Sequence, residues 1–181
     1  MGDCQPFAIM RLTHESIRSG LKEIQGLIDQ KEKLNVAELK SLYEEVKRII
    51  QLHAKQEEDV FYVELNKKAN GVAASFSTEH EEEKLVFEKI DGLIKDADSS
   101  EAWALLIGEL NKWIDNHHKH LVHEEEELME LLPKVFTYVE SVEVVRSIIG
   151  HDLNEFENFH MKWVYDRLNT GQQDMYMGML K

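Results

Sequence analysis

Apolar residues recur along this chain at the three- and four-residue intervals of a helix face, in blocks separated by short polar breaks. Met10, Ile17, Leu21, Ile24 and Leu27 form the first stripe, which predicts a helix from about Pro6 to about Asp29. A charged break, Gln30 to Leu34, leads to Asn35-Val-Ala-Glu38, an N-cap residue with a carboxylate returning at the third helical position. The second helix is expected from there to about Asn66, on the stripe Leu42, Val46, Ile49 or Ile50, Val60 and Phe61. Ala69 to Ser77, with Asn70-Gly71 and small residues, reads as a connector. Phe76, Phe87, Ile90 and Ile94 mark a third helix. Asp98-Ser-Ser-Glu101 signals a fourth, which carries Leu106, Leu110, Trp113, Leu128 and Leu131 before Pro133 closes it. Four helices with short connections predict an all-α fold, an antiparallel up-down four-helix bundle over about residues 6–135. A fifth helical segment, about residues 139–169, begins near Ser141 and carries Val145, Ile148, Phe156 and Trp163; it is expected outside the bundle or at a partner interface. Residues 170–181, with Met175, Met177 and Met179 among polar neighbours, read as a frayed or mobile tail of one single domain.

Polar residues interrupt these stripes at matching places. His53 is followed by Glu57, then by Phe61 and Leu65; His120 is followed by Glu124, then by Leu128 and Leu132. A spacing of four stacks each histidine and carboxylate on one helix face, the face that should be buried. His14 and His80 fall on the inward stripes of the other two helices. A lone histidine on such a stripe is more often a hydrogen-bonded core residue, and runs such as Glu81–Glu83 or Glu124–Glu127 are more often solvated faces. Four segments placing histidine inward, two of them with a carboxylate, shift the balance. Buried carboxylates without partners are costly, and a pair of divalent cations compensates them while accepting neutral imidazole. Nitrogen and oxygen donors without thiolate favour iron, with manganese possible, over structural zinc. Glu57 and Glu124 are therefore the candidate bridges, and His14, His53, His80 and His120 the candidate terminal ligands. A rival register pairs His123 with Glu127, but His120 lies on the stripe of Trp113, Leu128 and Leu131. His118 and His123 read as surface residues, and His151 and His160 as packing or interface histidines beyond the bundle. Phe61, Phe87 and Trp113 read as core or pocket-wall residues that would keep the site dry.

Composition narrows the partners. With 35 acidic against 21 basic residues, the net charge is −14 over 181 residues, which speaks against nucleic acid and suits attraction of cations. No apolar run approaches the ~18 residues of a membrane span. A single cysteine, Cys4, reads as a free thiol, and the start of the chain lacks a signal-peptide pattern, so an intracellular, cytoplasmic setting is expected. No phosphate-binding loop, dinucleotide fingerprint or nucleophile motif is visible.

The His14-Glu-Ser-Ile-Arg18 start, His53 with Glu57, His80 within Thr78-Glu-His-Glu81, and His120 with Glu124 together resemble the hemerythrin-like (HHE cation-binding) family of non-haem di-iron bundles. The acidic run and apolar pair from His120 to Leu132, and Phe136-Thr-Tyr-Val-Glu140 after it, are most similar to the hemerythrin-like domains of eukaryotic iron-sensing ubiquitin-ligase proteins. The resemblance implies two iron ions bridged by carboxylates, binding dioxygen or another small diatomic molecule, or sensing iron, oxygen or redox state. The alternative it leaves open is a di-metal oxidase, a peroxidase-like or a nitric-oxide-handling enzyme; a partner protein could dock on the C-terminal helix. Two positions depart from the pattern: Lys84 stands where oxygen carriers have a second histidine, and Ala54 where the iron-sensing subgroup can have a carboxylate. One coordination position is thus unassigned, with His117, Glu58, Glu83 or water as candidates.

Overall fold

The computed structural model describes residues 6–30, 35–96, 99–151 and 159–180. Cys4 and Phe156 lie outside the described residues. Helix α1 (Ala8–Ile28) is followed by α2 (Val36–Gln56), a π-helical turn (Glu57–Phe61) and α3 (Tyr62–Lys68), which join end to end as one rod. Helices α4 (Ala74–Lys95) and α5 (Ser100–Val135) complete the bundle. α1 lies on α2, α2 on α4, α4 on α5, and α5 back on α1, so the four walls enclose one core, and the described residues contain no strand. The caps that start the second and fourth walls are local: Asn35 accepts from the Glu38 N–H, and Ser99 from the Ala102 N–H.

Four boundaries differ from the sequence expectation, the first being that α4 begins at Ala74, inside the stretch expected to be a connector. Pro133 does not close α5, which runs two residues further to Val135. Proline cannot donate to the carbonyl four residues back, but the Phe136 N–H still reaches the Leu132 carbonyl at 2.9 Å and completes the last turn. Helix α6 (Tyr138–Gly150) starts earlier than Ser141 because Thr137 and Glu140 form a reciprocal capping box. The expected frayed tail is instead helix α8 (Thr170–Met179), opened by a second such box between Asn169 and Gln172 and anchored by the fully buried Tyr176.

Beyond the bundle, α6 packs on the π turn, while α7 (Met161–Asp166) and α8 pack on α1. The Ser16 hydroxyl donates to the Val164 carbonyl at 3.0 Å. Gly20 permits the approach, since a β-carbon there would stand 2.9 Å from both Trp163 Cη2 and Val46 Cγ2. Gly20→Ala is expected to destabilise by about 1–3 kcal/mol through overpacking, despite the better helix propensity of alanine. Chemical denaturation measures it; a stabilised variant would show that α7 does not seat on α1 this closely.

Two aromatic layers bracket the middle of the bundle. Tyr43, Phe87 and Trp113 meet edge-on on one side, with Trp113 at 5.5 Å from Tyr43 and 5.7 Å from Phe87. Phe7, Phe61 and Phe136 form the other, with Phe7 at 5.7 Å from Phe61 and 5.6 Å from Phe136. Between them the core turns polar.

Candidate metal centre

Each wall contributes to that polar layer. α1 supplies His14, α2 supplies His53, Glu57 opens the π turn, α4 supplies His80, and α5 supplies His120 and Glu124. All six are buried. Their donor atoms fall into two groups within 4.8 Å, His14-His53-Glu57-Glu124 and Glu57-His80-His120-Glu124, which share the two carboxylates.

The carboxylates are turned to serve both groups. Glu57 Oε1 lies 3.2 Å from His53 Nε2, and its Oε2 lies 3.4 Å from His80 Nε2. Glu124 Oε2 lies 3.4 Å from His14 Nε2 and 3.5 Å from His120 Nε2. The other Glu124 oxygen accepts a 2.6 Å hydrogen bond from the Tyr62 hydroxyl. His14 and His53 bring their Nε2 atoms to 3.0 Å, edge to face. Both Glu57 oxygens and Glu124 Oε2 are buried without a hydrogen-bond partner. Imidazole nitrogens and carboxylates converging on two points, with three of the four carboxylate oxygens left without a donor, form a set that fits divalent cations.

Electrostatics agree with this. Burial, then the neighbouring Glu124 carboxylate, pushes the Glu57 carboxyl well above the usual range. Burial, then the other imidazoles beginning with His14, holds His53 well below its usual value. Tyr62 is held firmly protonated by burial and by Glu57 and Glu124. Without cations, the layer therefore favours the protonated form of Glu57 and the neutral form of His53; a cation would take the place of the Glu57 proton.

Around the layer, carboxylates orient the imidazoles from outside. His14 Nδ1 donates to Glu125 at 2.9 Å, His80 Nδ1 to Glu58 at 2.8 Å, and His120 Nδ1 to Glu79 at 2.7 Å. With Nδ1 protonated, each Nε2 presents a lone pair inward. Arg18 in turn grips Glu125 at 2.8 and 2.9 Å, and Ser77 donates to Glu58 at 2.9 Å. Burial opposes ionisation of Glu125, but His14 and Arg18 win and hold it at about 2. Glu79, Glu125 and Arg18 were not among the sequence candidates. Glu79 follows no single-helix spacing, because it reaches from α4 to His120 on α5. Glu58 and Glu83, candidates for the unassigned position, are engaged elsewhere: Glu58 by His80 and Ser77, Glu83 by His117 Nδ1 at 2.7 Å and Trp113 Nε1 at 2.9 Å.

Of the rival register, His123 shares Glu79 with His120, is 30% exposed, and meets Glu127 at 3.4 Å at the rim. His160 is buried in the core beside α1, close enough that its charge would disfavour protonation of His53. Phe61, Phe87 and Trp113 are all buried. Trp113 walls a cavity of about 490 Å³ between α4 and α5, and Phe87 one of about 340 Å³ between α2 and α4, where Ala54 and His80 also lie.

Residues 5–132 match the family model of the hemerythrin HHE cation binding domain. The chain belongs to the hemerythrin family. No curated protein and no solved structure matches it. The matched span ends at Leu132, so the hemerythrin domain covers the four walls and their polar layer, and α6 to α8 lie beyond it. Metal binding in this hemerythrin domain accords with the His and Glu groups in its core, and no described helix is long and apolar enough to cross a membrane.

Proposed function

We propose that the protein holds a carboxylate-bridged pair of iron ions and uses them to bind dioxygen or a related small molecule, or to sense iron, oxygen or redox state. Glu57 and Glu124 would bridge the pair, His14 and His53 would hold one ion, and His80 and His120 the other. The observation that carries this reading is the buried, partnerless trio of oxygens, both of Glu57 and Oε2 of Glu124, placed between two histidine pairs. Manganese has the same donor preferences and is the other candidate. When bound, such a pair supplies redox change and an open position for a small ligand.

The chain's own residues do the rest. Glu125, Glu58 and Glu79 fix the tautomer of three of the imidazoles, and the aromatic layers on either side exclude water. Because the donors converge only when all four walls are assembled, cation occupancy is coupled to folding, which is the physical basis of a sensor. A second reading, a di-metal oxidase, peroxidase-like or nitric-oxide-handling enzyme, is favoured by one feature: the Tyr62 hydroxyl on Glu124 is a protonated donor beside the pair.

Metal analysis of protein purified aerobically from iron-replete cells, with visible spectra under oxygen and after reduction, tests the proposal. A pair of irons per chain with an oxygen-dependent band that reduction removes and oxygen restores is expected for small-molecule binding. Iron without a reversible band turns the assignment to sensing or catalysis. A well-folded chain that takes up no iron would overturn both readings.

A further inference from the structure

We propose that His117 is a further ligand to the ion held by His80 and His120, reaching from α5 into the position that Ala54 and Lys84 leave unfilled. The inference rests on the paired-ion reading above and adds one residue to it.

Three of the proposed ligands share a signature: Nδ1 donates to a carboxylate outside the layer while Nε2 points in. His117 repeats the first half, with Nδ1 at 2.7 Å from Glu83 Oε1. Glu83 Oε1 also takes the Trp113 indole N–H at 2.9 Å, so this oxygen acts as the acceptor and the proton of the His117 bond sits on Nδ1. His117 Nε2 is then a lone pair, and it is buried with no hydrogen-bond partner. A purely structural Glu83-His117-Trp113 network needs only Nδ1, and leaves that buried acceptor unexplained.

The register of α4 against α5 puts His117 at the right height. Successive rungs pair His80 with His120, ring centres 4.9 Å apart, then Glu83 with His117, then Phe87 with Trp113 at 5.7 Å. His117 thus sits one rung from the His80–His120 pair, level with residues 83 and 84 on the neighbouring helix, and its ring centre is 5.5 Å from that of His120. The other candidates are occupied or lack a donor. Glu58 and Glu83 are each committed to a histidine, Lys84 pairs with Glu81 at the surface, and Ala54 has no polar side chain. His117 Nε2 stands outside the two groups whose donors lie within 4.8 Å, so ligation requires its ring to turn toward the pair. Nε2 has no hydrogen bond to give up in that turn, and the ring must carry Glu83, its Nδ1 partner, with it.

Cobalt(II) loading of the full chain, followed by competition with a chelator and by visible absorption, tests the assignment. Wild-type protein should take a pair of ions. His117→Ala should bind one of them unchanged and the other at least ~10-fold more weakly, with stronger cobalt absorption from the lower coordination number. Added imidazole should restore both properties in His117→Gly, a rescue that a packing role cannot give. If His117→Ala fails to fold by circular dichroism, His117→Gln, which keeps the bulk, carries the same expectation. Unchanged affinity and spectrum in the folded variant, or weakening that imidazole does not repair, would overturn the role of His117. A folded wild-type chain that takes no pair of ions would overturn the paired-ion reading along with it.

Discussion

Chelation of the bound ions from the folded protein is expected to lower its melting temperature by about 8–16 °C. An ion present at about a thousand times its dissociation constant stabilises the fold by about 4 kcal/mol, and a chain of this size shifts by about 2–4 °C per kcal/mol. The Glu57 carboxyl makes that loss grow with pH. Glu57 has a folded pKa raised well above its unfolded value, so in the ion-free protein its contribution is fully present below the unfolded pKa and disappears as pH rises through the folded one. Relative to ion-free Glu57→Gln, whose amide does not titrate, ion-free wild-type protein should therefore lose stability as pH rises. The loaded form has already exchanged that proton for a cation and should respond much less. Calorimetry with chelator, and after restoring the metal, measures both effects. Coincident melts with and without chelator would show that the polar layer is stable by itself, and the sensing reading would fail.

Replacing His120 by alanine is expected to weaken cation binding by more than ~100-fold, whereas replacing His123 by alanine should cost less than ~10-fold. Both histidines donate to Glu79, at 2.7 and 2.8 Å, so the two variants disturb the same outer carboxylate. They differ in what the other ring nitrogen faces. His120 Nε2 looks at Glu124 in the buried layer, while His123 Nε2 looks at Glu127 on the rim. Metal content after gel filtration, with a competition titration, separates them. The opposite order would mean that α5 presents the His123-Glu127 face to the ions.

The meeting of four histidines and two carboxylates in the core was legible in the sequence because all six fall on stripes that are otherwise apolar and four of them form pairs at one-helix spacing. His53 to Glu57 and His120 to Glu124 are both four apart, and the walls that carry them begin at readable caps, Asn35 and Ser99. What could not be read crosses between helices. Glu79 serves a histidine on α5 and Glu125 one on α1, and only the register between walls brings them there. The segments beyond the bundle were misplaced for a different reason: α6 and α8 are short, with few turns over which a period can be counted, so their capping boxes carry more information than their apolar residues. At Pro133 the helix runs two residues past the proline, which denies the Met129 carbonyl its N–H partner four residues on but leaves the Phe136 N–H free to reach Leu132.

The π turn from Glu57 to Phe61 amounts to one residue more than an α-helix would use over the same rise. The consecutive aromatics Phe61 and Tyr62 at its end both face inward, at 0% and 2% exposure. Deleting a single codon between Glu57 and Phe61 would leave His53 and Glu57 in place but rotate everything after them, taking the Tyr62 hydroxyl away from Glu124. The wall is therefore two helices in different phase, joined at the carboxylate that both histidine pairs share, and a related chain without the extra residue would have to be aligned to this one with a gap at that turn.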